Sequence, residues 1–247
     1  MYKPLFKCKK NSVPVLSRKE IDHIGEQYVR EFQPNVLTNP EPVDIESFAE
    51  YHLGLTPDYQ YLSHNGTYLG MTVFVESNRV IIYSPATQRA EYIYAKARTV
   101  IIDNSLLEEN QEHRYRFTMG HECGHDIFHA DYFVKNAHLM PSIQCRADST
   151  KFCNRNTRTW DDSQWMEWQA NCFSSALLMP ATAVKCLCNR YHRFIAKQSL
   201  IEAVTETFNV SKEAAEIRLM DLDLISHKRP VVINPVMEIK QAGFILG

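Results

Sequence analysis

Phe117-Thr118-Met119-Gly120-His121-Glu122-Cys123-Gly124-His125 is the stretch on which the reading of this chain turns. It contains the pattern H-E-x-x-H. On a helix, residues four apart lie one above the other, with Cβ atoms about 5–6 Å apart. His121 and His125 can therefore offer two imidazoles to one metal ion. Glu122 is offset around the helix and can reach a water beside that ion. This is the residue set of a zinc hydrolase. Phe117, His121, Gly124, His125 and Phe128 fall on one stripe of a helix predicted over about 110–130, so both histidines share the inward face with aromatic rings.

Two histidines leave a catalytic zinc site one protein ligand short. His129 continues the four-residue spacing. It lies about 12 Å along the helix axis from His121, so all three histidines reach one ion only if the helix breaks after His125. No glycine follows in Asp126-Ile127-Phe128 to assist such a turn, and His129 reads as a supporting or structural residue. Glu167 is the better third ligand. It stands four residues before Asn171 in Glu167-Trp168-Gln169-Ala170-Asn171, which puts carboxylate and amide on one face of a second helix. The carboxylate can bind the metal, and the amide oxygen can hold the spare N–H of a ligating histidine. Asp131 and His138 remain alternatives.

Working outward, Ser17-x-x-Glu20 is a capping box ahead of Ile21, Ile24, Tyr28 and Phe32, and it predicts a helix over 18–32. A second helix is expected near 44–53. Residues 67–76 and 79–84 are rich in β-branched and aromatic side chains, and Ser77-Asn78 between them suggests a hairpin turn. Residues 98–103 (RTVIID) add a third strand. Residues 131–161, with Pro141, Cys145 and Cys153, read as a long polar loop, a length at which loops are often functional. Helices are expected at 162–178, 181–193, 198–208 and 212–220, the last with Ser211 as N-cap. RPVVINPV near the end suggests a short strand. The expected fold is α+β: N-terminal helices, a small twisted sheet, the H-E-x-x-H helix and a helical C-terminal half. The expected organisation is a flexible tail over 1–16, a metal-binding domain over 17–195 with an insertion at about 131–161, a helix-turn-helix-like hairpin over 196–226 packed on it, and a tail over 227–247.

The 247 residues carry 27 basic and 29 acidic side chains, so no global basic field recruits nucleic acid. No run approaches the roughly 18 apolar residues of a membrane helix. The start, MYKPLFKCKK, lacks the apolar core of a signal peptide. Seven cysteines without a regular framework spacing point to a reducing cytoplasm. Cys145 and Cys153 are too far apart for a zinc knuckle, and Cys186 and Cys188 point to different helix faces, so all four read as ordinary thiols. Cys123 reads as a small packing residue. Trp165 and Trp168, three apart, read as packing. The basic cluster Lys9, Lys10, Arg18 and Lys19 reads as solvated surface. Residues 198–220 have helix-turn-helix spacing, but Lys212 and Arg218 are offset by Glu213, Glu216 and Asp221, a poor surface for phosphates.

RYRFTMGHECGHDIFH (114–129) followed by EWQANCFSSALLMP (167–180) resembles the ImmA/IrrE family of bacterial metallopeptidases. PVDIESFAEYHLGL and FNVSKEAAEIRLMDL are also family-like, so the resemblance spans roughly 20–222. It implies a zincin-like fold of the gluzincin type. It implies one catalytic zinc ion held by His121, His125 and Glu167, with Glu122 as general base and Asn171 in support. It also implies a cytoplasmic endopeptidase whose protein substrate is a helix-turn-helix repressor, cleaved to derepress stress-response or mobile-element genes. The 42-residue step from His125 to Glu167 is longer than is common in the family. His113, Tyr115, His129 and His138 are all open as the further donor to a tetrahedral oxyanion. An extended peptide is expected to add to an open edge of the 67–103 sheet beside the metal. The competing readings are a DNA-binding regulator with structural zinc and a non-catalytic protein that sequesters its partner.

Overall fold

Ser17 and Glu20 form a reciprocal cap: Ser17 Oγ accepts from the Glu20 amide, and the Glu20 carboxylate accepts from the Ser17 amide. This satisfies donors that a helix start otherwise leaves unpaired. Helix α1 (Arg18–Phe32) follows and buries Ile21, Ile24, Tyr28 and Val29. The computed structural model describes residues 2–137, 142–146, 160–191 and 196–225, with the side chains of 143–146 excepted. Asp44 caps the short α2 (Ile45–Ser47), which widens into a π-helical turn over Phe48–Leu53.

Strands β1 (Thr56–Gln60), β2 (Tyr68–Val73), β3 (Ser77–Ser84), β4 (Arg89–Ala95) and β5 (Thr99–Asp103) come next. After them come α3 (Glu112–Lys135), β6 (Ser142–Arg146), α4 (Asp162–Leu178), α5 (Ala181–Arg190), α6 (Lys197–Phe208) and α7 (Lys212–Asp221). The fold is mixed α+β. Four strands form one sheet in the order β1-β5-β2-β6, with β1 parallel to β5 and the other pairs antiparallel. Period-2 alternation splits β5 between two cores. Val100 and Ile102 join the main helical core, while Ile101, with Met71 and Val73 of β2, packs against Val80, Ile82 and Ala95 of a separate β3–β4 hairpin.

The expected hairpin through Ser77-Asn78 does not form. Ser77 lies inside β3 and pairs with Ala95, and the turn falls at 85–88, where Gln88 takes a positive φ of 54°. β2 instead pairs with β5 and β6. Within the stretch expected as a loose tail over 1–16, several described residues anchor to the fold while others, such as Leu5, stay exposed. Val13 is fully buried beside Phe74, Phe133 and Met166, Phe6 meets Phe128 edge-on, and Lys9 and Asn11 both bond Asp162. These anchors are single side chains without periodicity, which is why the composition reads as a tail. Helix α3 continues to Lys135, past the expected end near 130, and β6 lies inside the expected loop. The suggested strand in RPVVINPV lies outside the described residues, as do His138 and Cys153.

Helices α6 and α7 pack against each other across a turn at Asn209, whose φ is 51°. Arg218 of α7 is buried and ties it to the metal-site side of the fold, donating to the Met179 carbonyl at the end of α4 and to Asp22 of α1. Among the described residues, no single helix is long and apolar enough to cross a membrane.

Candidate metal centre

The site is built where α3 and α4 cross at short range. A Cβ on Gly124 would stand 3.1 Å from Ala170 Cα, and one on Gly120 would stand 2.6 Å from Ser174 Oγ. Small residues on both helices therefore set the approach, and Ser174 Oγ donates across it to the Phe117 carbonyl. The crossing lays Glu167 over the two histidines. His121 Nε2 and His125 Nε2 are 2.8 Å apart, and each lies 3.4 Å from a Glu167 carboxylate oxygen. One donor atom from each residue lies within 4.8 Å of the others, so the group can hold a metal ion. A tetrahedral zinc with bonds near 2.0–2.1 Å needs donors about 3.3 Å apart. Both carboxylate separations fit that geometry, and the histidines need to part by only about 0.5 Å. Both imidazoles are fully buried, while the Glu167 side chain keeps 12 % of its surface open.

His129 lies outside this group because α3 runs unbroken past it. It still touches the site, with its Nδ1 2.9 Å from His125 Nδ1. Asp131 lies on the same unbroken helix, about 15 Å along the axis from His121. Asn171 Oδ1 is 2.8 Å from His121 Nδ1, the position of an acceptor that directs the Nε2 lone pair inward. Burial pushes the Glu167 carboxyl up, but bonding to His121 and His125 outweighs it and holds the group well below the usual carboxylate range. Burial also holds His125 and, more strongly, His129 below the usual imidazole range, so both are neutral near pH 7.

Glu122 is completely buried, and its carboxyl is pushed up to about 7 by that burial, against the opposing pull of His121 and Thr72. Thr72 Oγ1 donates to Oε2 at 2.5 Å, and Oε1 has no hydrogen-bond partner among the described residues. The carboxylate fits only because position 70 has no side chain: a Cβ there would stand 2.4 Å from Glu122 Oε1. Gly70 and Thr72 are site residues that the sequence reading missed. A glycine inside a strand is itself the signal of a close approach, and it was available at Gly70.

Two of the proposed oxyanion donors are occupied elsewhere. The Tyr115 hydroxyl meets that of Tyr59, and His129 bonds His125 and Gln169. His113 sits in the first turn of α3, about 12 Å along the axis from His121. Burial drives the Cys123 thiol well above its ordinary range, which removes it as a nucleophile. β2, the strand that touches Glu122, is paired on both sides, and among the described strands the sheet edge on this side is β6.

No curated protein matches the chain. Residues 75–220 match the family described as the IrrE N-terminal-like domain, Peptidase M78. The matched stretch carries α3 and α4 together with every residue of the metal-binding group. It covers more than half of the chain, and the protein therefore belongs to this family of metallopeptidase type.

Proposed function

We propose that the chain is a zinc-dependent endopeptidase that cuts a helix-turn-helix transcriptional repressor in the bacterial cytoplasm. The observation that carries the catalytic part is Glu122: a buried carboxylate with one oxygen fixed by Thr72 and the other unbonded, next in sequence to a metal-binding histidine. His121, His125 and Glu167 would hold the ion. When bound, zinc supplies a Lewis acid that activates water and polarises a scissile carbonyl. Glu122 takes the proton at Oε1 and passes it to the leaving amine nitrogen. Burial raises its carboxyl above the ordinary carboxylate range, which makes it a stronger proton acceptor than an exposed glutamate. Thr72 keeps the carboxylate in one rotamer throughout.

The repressor substrate rests on the resemblance of 114–129 and 167–180 to ImmA/IrrE peptidases. The thiols of Cys8, Cys123, Cys172, Cys186 and Cys188 are all free, which supports a reducing compartment. Arg218 supports a packing role for the α6–α7 pair over DNA contact, because its guanidinium is committed to Met179 and Asp22. The test uses purified protein, stoichiometric zinc and candidate helix-turn-helix repressors, any encoded beside its gene being tried first. A single cut is expected, and it should vanish in Glu122→Gln while zinc content stays unchanged. If Glu122→Gln relieves repression as fully as the unaltered protein, the chain acts by sequestration and the peptidase reading is wrong.

A further inference from the structure

Three hydrogen bonds run in series from the metal centre to the N-terminal segment. His125 Nδ1 lies 2.9 Å from His129 Nδ1, His129 Nε2 lies 3.0 Å from Gln169 Oε1, and Gln169 Nε2 donates to the Pro14 carbonyl at 2.9 Å. His125, His129 and Gln169 are all buried, at 0 %, 0 % and 1 % exposure. In such a setting each polar atom is held to its partner, because an unpaired one is costly.

The direction of the series follows from its far end. A carbonyl oxygen only accepts, so Pro14 fixes the Gln169 amide with nitrogen toward Pro14 and oxygen toward His129. That oxygen only accepts, so His129 Nε2 carries a hydrogen. A fully buried imidazole stays neutral, and His129 Nδ1 therefore keeps its lone pair. His125 Nδ1 must then donate, which leaves the lone pair of His125 on Nε2, facing His121 and Glu167. The opposite tautomer of His125 would aim an N–H at the metal position.

We propose that His129 and Gln169 are positioning residues that, anchored on the Pro14 carbonyl, lock His125 in the tautomer able to bind a metal. The proposal rests on the metal-site reading above. It also gives the N-terminal segment a role. Residues 2–16 lie outside the family match at 75–220, yet they close the series. They are pinned on both helices of the site: Lys135 of α3 donates to Ser12, and Asp162 of α4 accepts from Lys9 and Asn11.

The test compares His129→Leu with His129→Asn in the full chain. Asparagine places its side-chain oxygen near the position of the imidazole Nδ1 and can still accept from His125, whereas leucine cannot. Zinc affinity is read by competition with a chromophoric chelator, the tautomer of His125 by long-range ¹H–¹⁵N spectra of metal-free protein, and stability by the metal-free Tm. Zinc binding should weaken about 10–100-fold in His129→Leu and stay within about threefold in His129→Asn. A purely packing role predicts the reverse ranking, because leucine suits a buried site better. Gln169→Leu, which strips His129 of its acceptor, should move affinity in the same direction as His129→Leu and covers the case in which that variant does not fold. Unchanged zinc affinity in folded His129→Leu and Gln169→Leu, or Nε2–H on His125 in the unaltered metal-free protein, overturns the proposal. If the unaltered protein binds no zinc, the peptidase reading fails separately, and the His125 spectrum still decides the tautomer.

Discussion

Gly70→Ala is the substitution whose effect on this site can be worked from distances. The new methyl would stand 2.4 Å from Glu122 Oε1, 3.0 Å from Glu122 Cδ and 2.8 Å from Thr118 Cγ2. Ordinary contact begins at 3.4 Å, so the carboxylate has to withdraw by about 1 Å. It has little room to do so, being fully buried and held by Thr72. A misplacement of about 1 Å in a catalytic group costs on the order of 100-fold in rate, about 2.7 kcal/mol of barrier. The expected result is therefore a fall of about 100-fold in kcat/KM on a peptide substrate. Zinc affinity should stay within about threefold, because no metal-binding residue is displaced. Overpacking should also lower stability by about 1–3 kcal/mol, visible in Tm. Adding Thr118→Ser removes the methyl contact but leaves the one with the carboxylate, so it should recover part of the Tm and none of the turnover. Turnover within about threefold of the unaltered protein, with Tm lowered, would refute the assignment of Glu122 as the proton carrier at this position.

The site and its supports yield three more expectations. Stripping the metal with a chelator should lower Tm, and stability should climb by about 1.4 kcal/mol for each tenfold rise in free zinc above the Kd; a Tm indifferent to zinc would remove the metal-centre reading. Arg218→Met should lower stability by about 3 kcal/mol in denaturant titration, since it leaves Asp22 and the Met179 carbonyl without their buried partner. A loss under about 1 kcal/mol would show that α7 is held by apolar packing alone. Hydrogen bonds from Lys9 and Asn11 hold the Asp162 carboxyl below the ordinary carboxylate range. A depressed folded value means the N-terminal anchor is at full strength above the unfolded value of about 3.9 and is lost as pH falls below it. Once the intrinsic base-catalysed rise of exchange with pH is divided out, protection over residues 7–15 should therefore fall only below about pH 4, and Asp162→Asn should abolish that pH step. A loss of protection between pH 5 and 7 would contradict the anchor.

What could be read from the sequence was local. The Ser17–Glu20 box and the Ser211 cap fix where α1 and α7 begin because the bonds close within three residues. Glu167 could be found because its spacing from Asn171 repeats the helical logic of His121 and His125. Strand pairing carries no such local mark. β2 finds its partner in β5, some thirty residues on, so Ser77-Asn78 passed for a turn while Ser77 was a paired strand residue. Gly70 and Thr72 reach Glu122 from fifty residues upstream, and the Pro14 carbonyl that anchors His129 through Gln169 is a backbone atom with no sequence signal.

The long step from His125 to Glu167 does not keep Glu167 from lying 3.4 Å from both His121 and His125, and the fold explains why. The position of Glu167 is set by what α4 packs against, not by how the chain arrives. Gly120 and Gly124 admit Ser174 and Ala170 on one side, and Gly25 of α1 admits Ala176 on the other. A helix clamped between two neighbours by such close contacts has one axial register, because a slip along it would drive larger side chains into those contacts. Loop length enters only through closure entropy, and doubling it costs about 0.6 kcal/mol. An insertion between α3 and α4 can therefore grow without moving the Glu167 carboxylate away from His121 and His125.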